Sequence, residues 1–135
     1  MKPGAVLAID TNVLVRLIVA DDPRQAAAAR DLLDREEVLV TTTVLLETDW
    51  VLRSAYGLGR SEALNDLRSV CGLPGVVLSE PDRIATAISW SEAGMDFADA
   101  LHLAGAEGCD AFVTFDRKLA TAAGLAANAP AVRLL

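Results

Sequence analysis

Several things are scarce in this 135-residue chain, and each scarcity excludes something. There are two cysteines, Cys71 and Cys109, far apart and in apolar surroundings. They are too few and too distant for a zinc centre, and they read as buried thiols, not a disulfide. No apolar run approaches the roughly 20 residues that a membrane helix needs. The opening stretch "MKPGAVLAID" turns acidic too soon for a signal peptide, so the expected compartment is the cytoplasm, with no membrane partner. Positive charge is also short: 12 Lys and Arg face 19 Asp and Glu, for a net charge of −7. That balance argues against broad electrostatic attraction to nucleic acid. It leaves room for a nucleic-acid substrate whose phosphates are met by bound cations.

What the chain does have is apolar content. Hydrophobic residues make up 53% of it, and mean hydropathy is +0.35, which argues against disorder. The length suits one domain over residues 1–135 with a core of its own. No linker, repeat or low-complexity segment interrupts it.

The patterning alternates strands and helices. Ala5–Ile9 reads as a fully buried strand, and "TNVLVRLI" as a helix with Thr11 or Asn12 near its N-cap. An Ala-rich helix, "RQAAAARDLLDRE", follows Pro23; then come a strand at Val38–Val40 and the helix "TTTVLLETDWVLRSAYG". Ser61 opens "SEALNDLRSVCG", and Val76–Leu78 is strand-like. "EPDRIATAISWSEAG" and "DFADALHLAGAEG" are helices ended by glycine. A strand at Ala111–Phe115, a short helix "DRKLATAAG" and a strand at Val132–Leu135 complete the order. Short apolar strands separated by helices predict a parallel sheet covered on both faces. The functional crevice of such a sheet lies beyond the carboxyl ends of its strands.

Acids occupy those ends. Asp10 interrupts the apolar stretch "AVLAIDTNVLVRL", and a carboxylate there is costly without compensation. Asp116 follows "AFVTF" in the same way. Either one also suits a helix cap. In the third helix, Val44, Thr48, Val51 and Ala55 are the expected inner face, with Glu47 at its edge as the inward acid. Asp49 pairs with Arg53 four residues on and is expected in solvent. In "DFADAL", Asp96 suits an N-cap, and Asp99 opens the turn toward "ALHLA", where it can face the sheet edge.

Four carboxylates at one edge, Asp10, Glu47, Asp99 and Asp116, would repel one another unless a divalent cation resolves the conflict. Magnesium or manganese prefers such oxygen donors together with substrate phosphate. On this reading Asp10 ends the apolar run because the strand delivers a metal ligand. His102, the single histidine, is expected to pack or hydrogen-bond within the helix layer. Trp50 and Trp90 are expected in the core.

The segments "AIDTNVLVRL", "LLETDWVL", "DFADALHLA" and "FVTFDRKL" resemble the acidic signature segments of the PIN domain, specifically VapC-type toxins of toxin–antitoxin pairs. The resemblance runs from Val6 to Leu119, with four motifs in order. It implies an α/β/α three-layer sandwich with a central, mostly parallel sheet of four to five strands. It implies metal-dependent endoribonuclease activity, hydrolysing RNA phosphodiester bonds with water activated by Mg2+ or Mn2+. The family's four acids fall on Asp10, Glu47, Asp99 and Asp116, as catalytic and metal-holding residues. Asn12 and Thr114 match supporting polar positions, and Asp96 an additional acid whose role stays open between cap and outer ligand. The implied partners are RNA, a cognate antitoxin whose C-terminal segment lies in the active-site groove, and a second copy of the chain in a homodimer.

Arg117, Lys118, Arg16 and Arg53 are candidates to touch phosphate, with solvated surface roles as the plain alternative. A magnesium-binding phosphotransferase or receiver-like protein is a competing reading. It would want a second acid near Asp10, where position 12 is Asn, and a well-placed lysine, where only Lys2 and Lys118 occur. A non-catalytic PIN-fold binding module is another, but all four acids are present.

Overall fold

The computed structural model describes residues 6–135. They fall into two compact units that divide after Glu80. The first holds β1 (Val6–Ala8), α1 (Thr11–Ile18), α2 (Pro23–Arg35), β2 (Glu37–Val40), α3 (Thr42–Ser54), α4 (Arg60–Cys71) and β3 (Val76–Leu78). The second holds α5 (Pro81–Glu92), α6 (Phe97–Ala104), β4 (Phe112–Thr114), α7 (Arg117–Leu125) and β5 (Val132–Leu134). Every strand and helix expected from the sequence is present, most within two residues of its expected ends. Ala5, the expected first residue of β1, lies outside the described residues. No helix among the described residues is long and apolar enough to cross a membrane.

In the first unit the strands run β1-β2-β3, all parallel, with Leu7 opposite Val38 and Leu39 opposite Val77. Parallel pairing puts the three carboxyl ends on one edge. Asp10, Thr41 and Ser79 lie just beyond them, each where the chain turns toward a helix or the next segment. The core comprises Leu14, Val15 and Leu17 of α1, Val38 and Val40 of β2, Leu45 and Leu52 of α3, and Leu64 and Leu67 of α4. Burying a Val or Leu side chain of this kind contributes about 1.5–3 kcal/mol relative to leaving it exposed. β1 departs from expectation. Among the described residues it pairs with β2, and Val6 and Leu7 are 45% and 44% exposed, so it is not a fully buried strand.

The second unit pairs β4 with β5, parallel, Val113 opposite Arg133. Ile84, Ala87 and Ile88 of α5 are buried, as are Phe97, Ala100, Leu101 and Leu103 of α6. Arg83 fixes the α5–α6 pair: its Nε and Nη2 donate to the Leu101 carbonyl at 3.0 and 2.8 Å. A Cβ at Gly105 would come within 2.7 Å of that guanidinium, so a larger residue there would make the arginine end shift. Trp90 is buried, and its Nε1 donates to the Ala127 carbonyl at 3.1 Å.

Two other expectations about burial fail. Trp50 is 62% exposed, because α3 buries Thr42, Leu45, Thr48, Asp49 and Leu52, and Trp50 lies off that face. Cys109 is exposed in the turn after α6, while Cys71, at the end of α4, is half-buried and its thiol is pushed up to about 11 by burial.

Candidate metal-binding and catalytic residues

The acids at the strand ends are first of all helix caps. Asp10, with extended backbone, accepts from the Val13 N–H at 3.1 Å and is itself the N-cap of α1, so the cap falls one or two residues before the expected Thr11 or Asn12. Asp116 caps α7: its Oδ1 accepts from Lys118 and Leu119 N–H at 2.9 and 3.1 Å. Asp96 caps α6, its Oδ2 accepting from the Asp99 N–H at 3.3 Å. Capping uses one oxygen of each carboxylate in these bonds and fixes the side chain to a helix end. In Asp10 and Asp116 the cap bonds use Oδ1 alone and leave the second oxygen to point elsewhere, so a cap and a ligand are compatible in one residue.

Glu47 is placed differently from expectation. It is exposed on α3, and Asp49 is the buried acid, 1% exposed. Asp49 does pair with Arg53, Oδ2 to Nη2 at 2.9 Å, but inside the unit and not in solvent. The buried stripe is Thr42, Leu45, Thr48, Asp49 and Leu52, one step in phase from the expected Val44, Thr48, Val51 and Ala55. Glu47 is tied to the carboxyl edge of the sheet all the same. The hydroxyl of Thr11, a buried residue in the first turn of α1, donates to Glu47 Oε1. Sequence reasoning noticed Thr11 only as a possible cap; its place directly after Asp10 was the available signal. Along the same edge Thr42 Oγ1 donates to Glu80 Oε1 at 2.6 Å, and the Thr42 N–H donates to Ser79 Oγ at 3.2 Å.

An open groove of about 370 Å³ starts at Asp10 and runs between α1 and α2, past Asn12, Val13 and Arg16 to Leu32. Asn12 is thus exposed beside Asp10. Arg16 is held by Gln25 Oε1 at 2.7 Å, Asp21 Oδ1 at 2.9 Å and the Tyr56 hydroxyl at 3.0 Å. It is therefore committed to structure, in place of the free phosphate contact considered from sequence, and Arg53 is likewise engaged with Asp49.

In the second unit Asp99 is half-buried in the first turn of α6. Burial, then the charges of Asp96 and Asp116, push its carboxyl above the ordinary range, and His102 partly offsets them. His102 itself is exposed and does not pack within the helix layer. Thr114 Oγ1 accepts from the Asp116 N–H at 3.0 Å and so shapes the turn that presents the fourth acid.

Thus Asp10 and Glu47 are linked through Thr11 in the first unit, and Asp99 feels the charges of Asp96 and Asp116 in the second. Among the described residues, neither unit groups three or more His, Cys, Asp or Glu side chains so as to hold a metal ion. The donor chemistry nonetheless fits a hard cation. The acids offer carboxylate oxygens, the ligands magnesium and manganese prefer. The like-charge conflict that raises Asp99 is of the kind that a cation relieves.

A family model described as the PIN domain matches residues 7–125. No curated protein matches the chain. Among solved structures, the chain is similar to a sarcin-ricin loop cleaving toxin, VapC20 of Mycobacterium tuberculosis. The identity is 22% over 87% of this chain and 95% of that one, with a TM-score of 0.43.

Proposed function

The chain belongs to the PIN domain family, and from that premise we propose that it is a metal-dependent endoribonuclease and the toxin of a toxin–antitoxin pair, a VapC-type protein. The observation that carries this reading is that the family match over residues 7–125, which crosses both units, takes in Asp10, Glu47, Asp99 and Asp116 together. The α/β alternation with all-parallel strands agrees with the α/β/α architecture of that family. On this reading residues 1–135 are a single PIN domain.

The reaction is hydrolysis of an RNA phosphodiester: water adds to phosphorus and one P–O bond to the chain breaks. Asp10, Glu47, Asp99 and Asp116 are the residues that would hold the cation, Mg2+ or Mn2+. When bound, it supplies neutralising charge for the phosphate and lowers the pKa of water. The chain's own part is orientation. Caps fix Asp10 and Asp116 at the starts of α1 and α7, where swinging away would cost the cap bonds. Thr11 is a positioning residue that holds Glu47 by its hydroxyl. Thr114 steadies the turn before Asp116, and Asp96, as the α6 cap, sets the start of the turn that carries Asp99. Asn12 is a polar neighbour available beside Asp10.

The partners on this reading are RNA, a cognate antitoxin and a second copy of the chain. A cluster of acids accepts an arginine in place of a cation, which gives an antitoxin a simple means of inhibition. The test is incubation of purified protein with total bacterial RNA in magnesium or manganese. Discrete fragments that disappear with EDTA and in Asp10→Asn are expected. Intact RNA with either metal would overturn the reading.

A further inference from the structure

The second unit carries an open groove of about 440 Å³ that the acids do not account for. Arg117, Lys118, Thr121 and Leu125 of α7 line it, together with Trp90 of α5 and Met95 just beyond that helix. We propose that this groove is a subsite for single-stranded RNA next to the scissile phosphate, with Arg117 and Lys118 on the backbone and the apolar walls against a base. The inference rests on the ribonuclease reading above and names how that enzyme holds its substrate.

Three observations support it. First, Arg117 and Lys118 are exposed and form no ion pair among the described residues, whereas Arg16, Arg35 and Arg53 each have a carboxylate partner. In a chain with net charge −7, Arg117 and Lys118 set two cations side by side at the start of α7. Second, they follow Asp116 directly in α7, so a phosphate they hold lies beside one of the proposed catalytic acids. Third, the wall that runs on from them is apolar and open. Leu125 lies two helical turns beyond Arg117, about 12 Å along α7, and is 86% exposed. A mainly apolar groove of this size with a few convergent polar groups has the usual form of a ligand site, and Leu125 adds apolar surface at its rim. Cations that track the backbone beside surfaces for unstacked bases are how single strands are gripped without base-edge reading. A paired helix keeps its bases stacked inside and has nothing to place against these walls.

The test measures cleavage of a short single-stranded RNA by the full chain in manganese at several salt concentrations. Wild type is compared with the double variant R117A/K118A and with Leu125→Ser. All three positions are exposed, and circular dichroism checks that the variants fold. In R117A/K118A, KM should rise about tenfold or more with kcat little changed. Its log–log salt slope should be shallower by about 1.4, the single-strand value for two lost phosphate contacts. In Leu125→Ser, KM should rise severalfold at an unchanged salt slope, and duplex RNA should compete poorly throughout. Wild-type cleavage with the same KM in all variants, or equal competition by duplex, would overturn the groove assignment and leave the nuclease standing. No cleavage by wild type with either metal would overturn the ribonuclease reading, and the subsite with it.

Discussion

The Thr11 hydroxyl donates to Glu47 Oε1, joining the first turn of α1 to the middle of α3. Residues 36 apart in sequence thereby meet at the carboxyl edge of the β1-β2-β3 sheet, one position beyond Asp10. An exposed glutamate on an isolated helix would sample several rotamers; this one has a buried donor that selects one.

Thr11→Val removes that donor at nearly constant volume. A hydrogen bond to a charged acceptor is worth about 1.5–3 kcal/mol, and the exposure of Glu47 places the expected loss at the lower end. Urea unfolding should show it. RNA cleavage should fall in Thr11→Val and recover in Thr11→Ser, which a merely steric role for Thr11 would not produce.

Capping and chemistry separate at Asp116. Asp116→Ala loses two backbone acceptor bonds and should destabilise the fold by about 1 kcal/mol. Asp116→Asn keeps the cap and loses the charge. It should unfold near the wild-type urea midpoint while losing cleavage, and equal losses of stability in both variants would contradict the separation.

Asp99 sets a pH dependence in metal-free protein. Its folded carboxyl is raised by burial first and then by Asp96 and Asp116. The folded state therefore holds the proton to higher pH than the unfolded chain does. Stability is greatest with Asp99 protonated, and falls as pH rises from the unfolded value through the folded one. Asp99→Asn should raise the urea midpoint at neutral pH, with the advantage fading in acid. Carboxyl NMR titration of Asp96→Asn should find the Asp99 carboxyl shifted back down.

The two thiols should differ in reactivity. Cys109 is exposed, while the Cys71 thiol is pushed up to about 11 and is scarcely ionised near neutrality. Iodoacetamide should label Cys109 in native protein and reach Cys71 only in urea, as mass spectrometry of the peptides will show.

Sequence patterning was legible where one signal dominated. The span of α1 follows from an apolar stripe behind a capping acid, and Asp10 and Asp116 stand out because each ends an apolar strand. The phase of α3 was not legible. Val44, Leu45, Leu46, Val51 and Leu52 spread apolar side chains around much of the helix, so a one-residue shift of the buried face changes little in the pattern. That shift is what exposes Glu47 and Trp50 and buries Asp49. Burial of Asp49 depends on the Arg53 guanidinium at 2.9 Å, and whether an i,i+4 pair lies in solvent or under a neighbour is a tertiary fact. The exposure of Val6 and Leu7 in β1, and that of Cys109 and His102, is tertiary in the same sense. The Thr11–Glu47 bond needs two helices placed before it exists.

The most direct measurement of the central claim is calorimetric titration of Mn2+ into the protein and into Asp10→Asn, Glu47→Gln, Asp99→Asn and Asp116→Asn. Saturable binding by the wild type is expected, and weaker binding, about tenfold or more, in each of the four variants. No binding by the wild type, or binding left unchanged by any of the four substitutions, would contradict it.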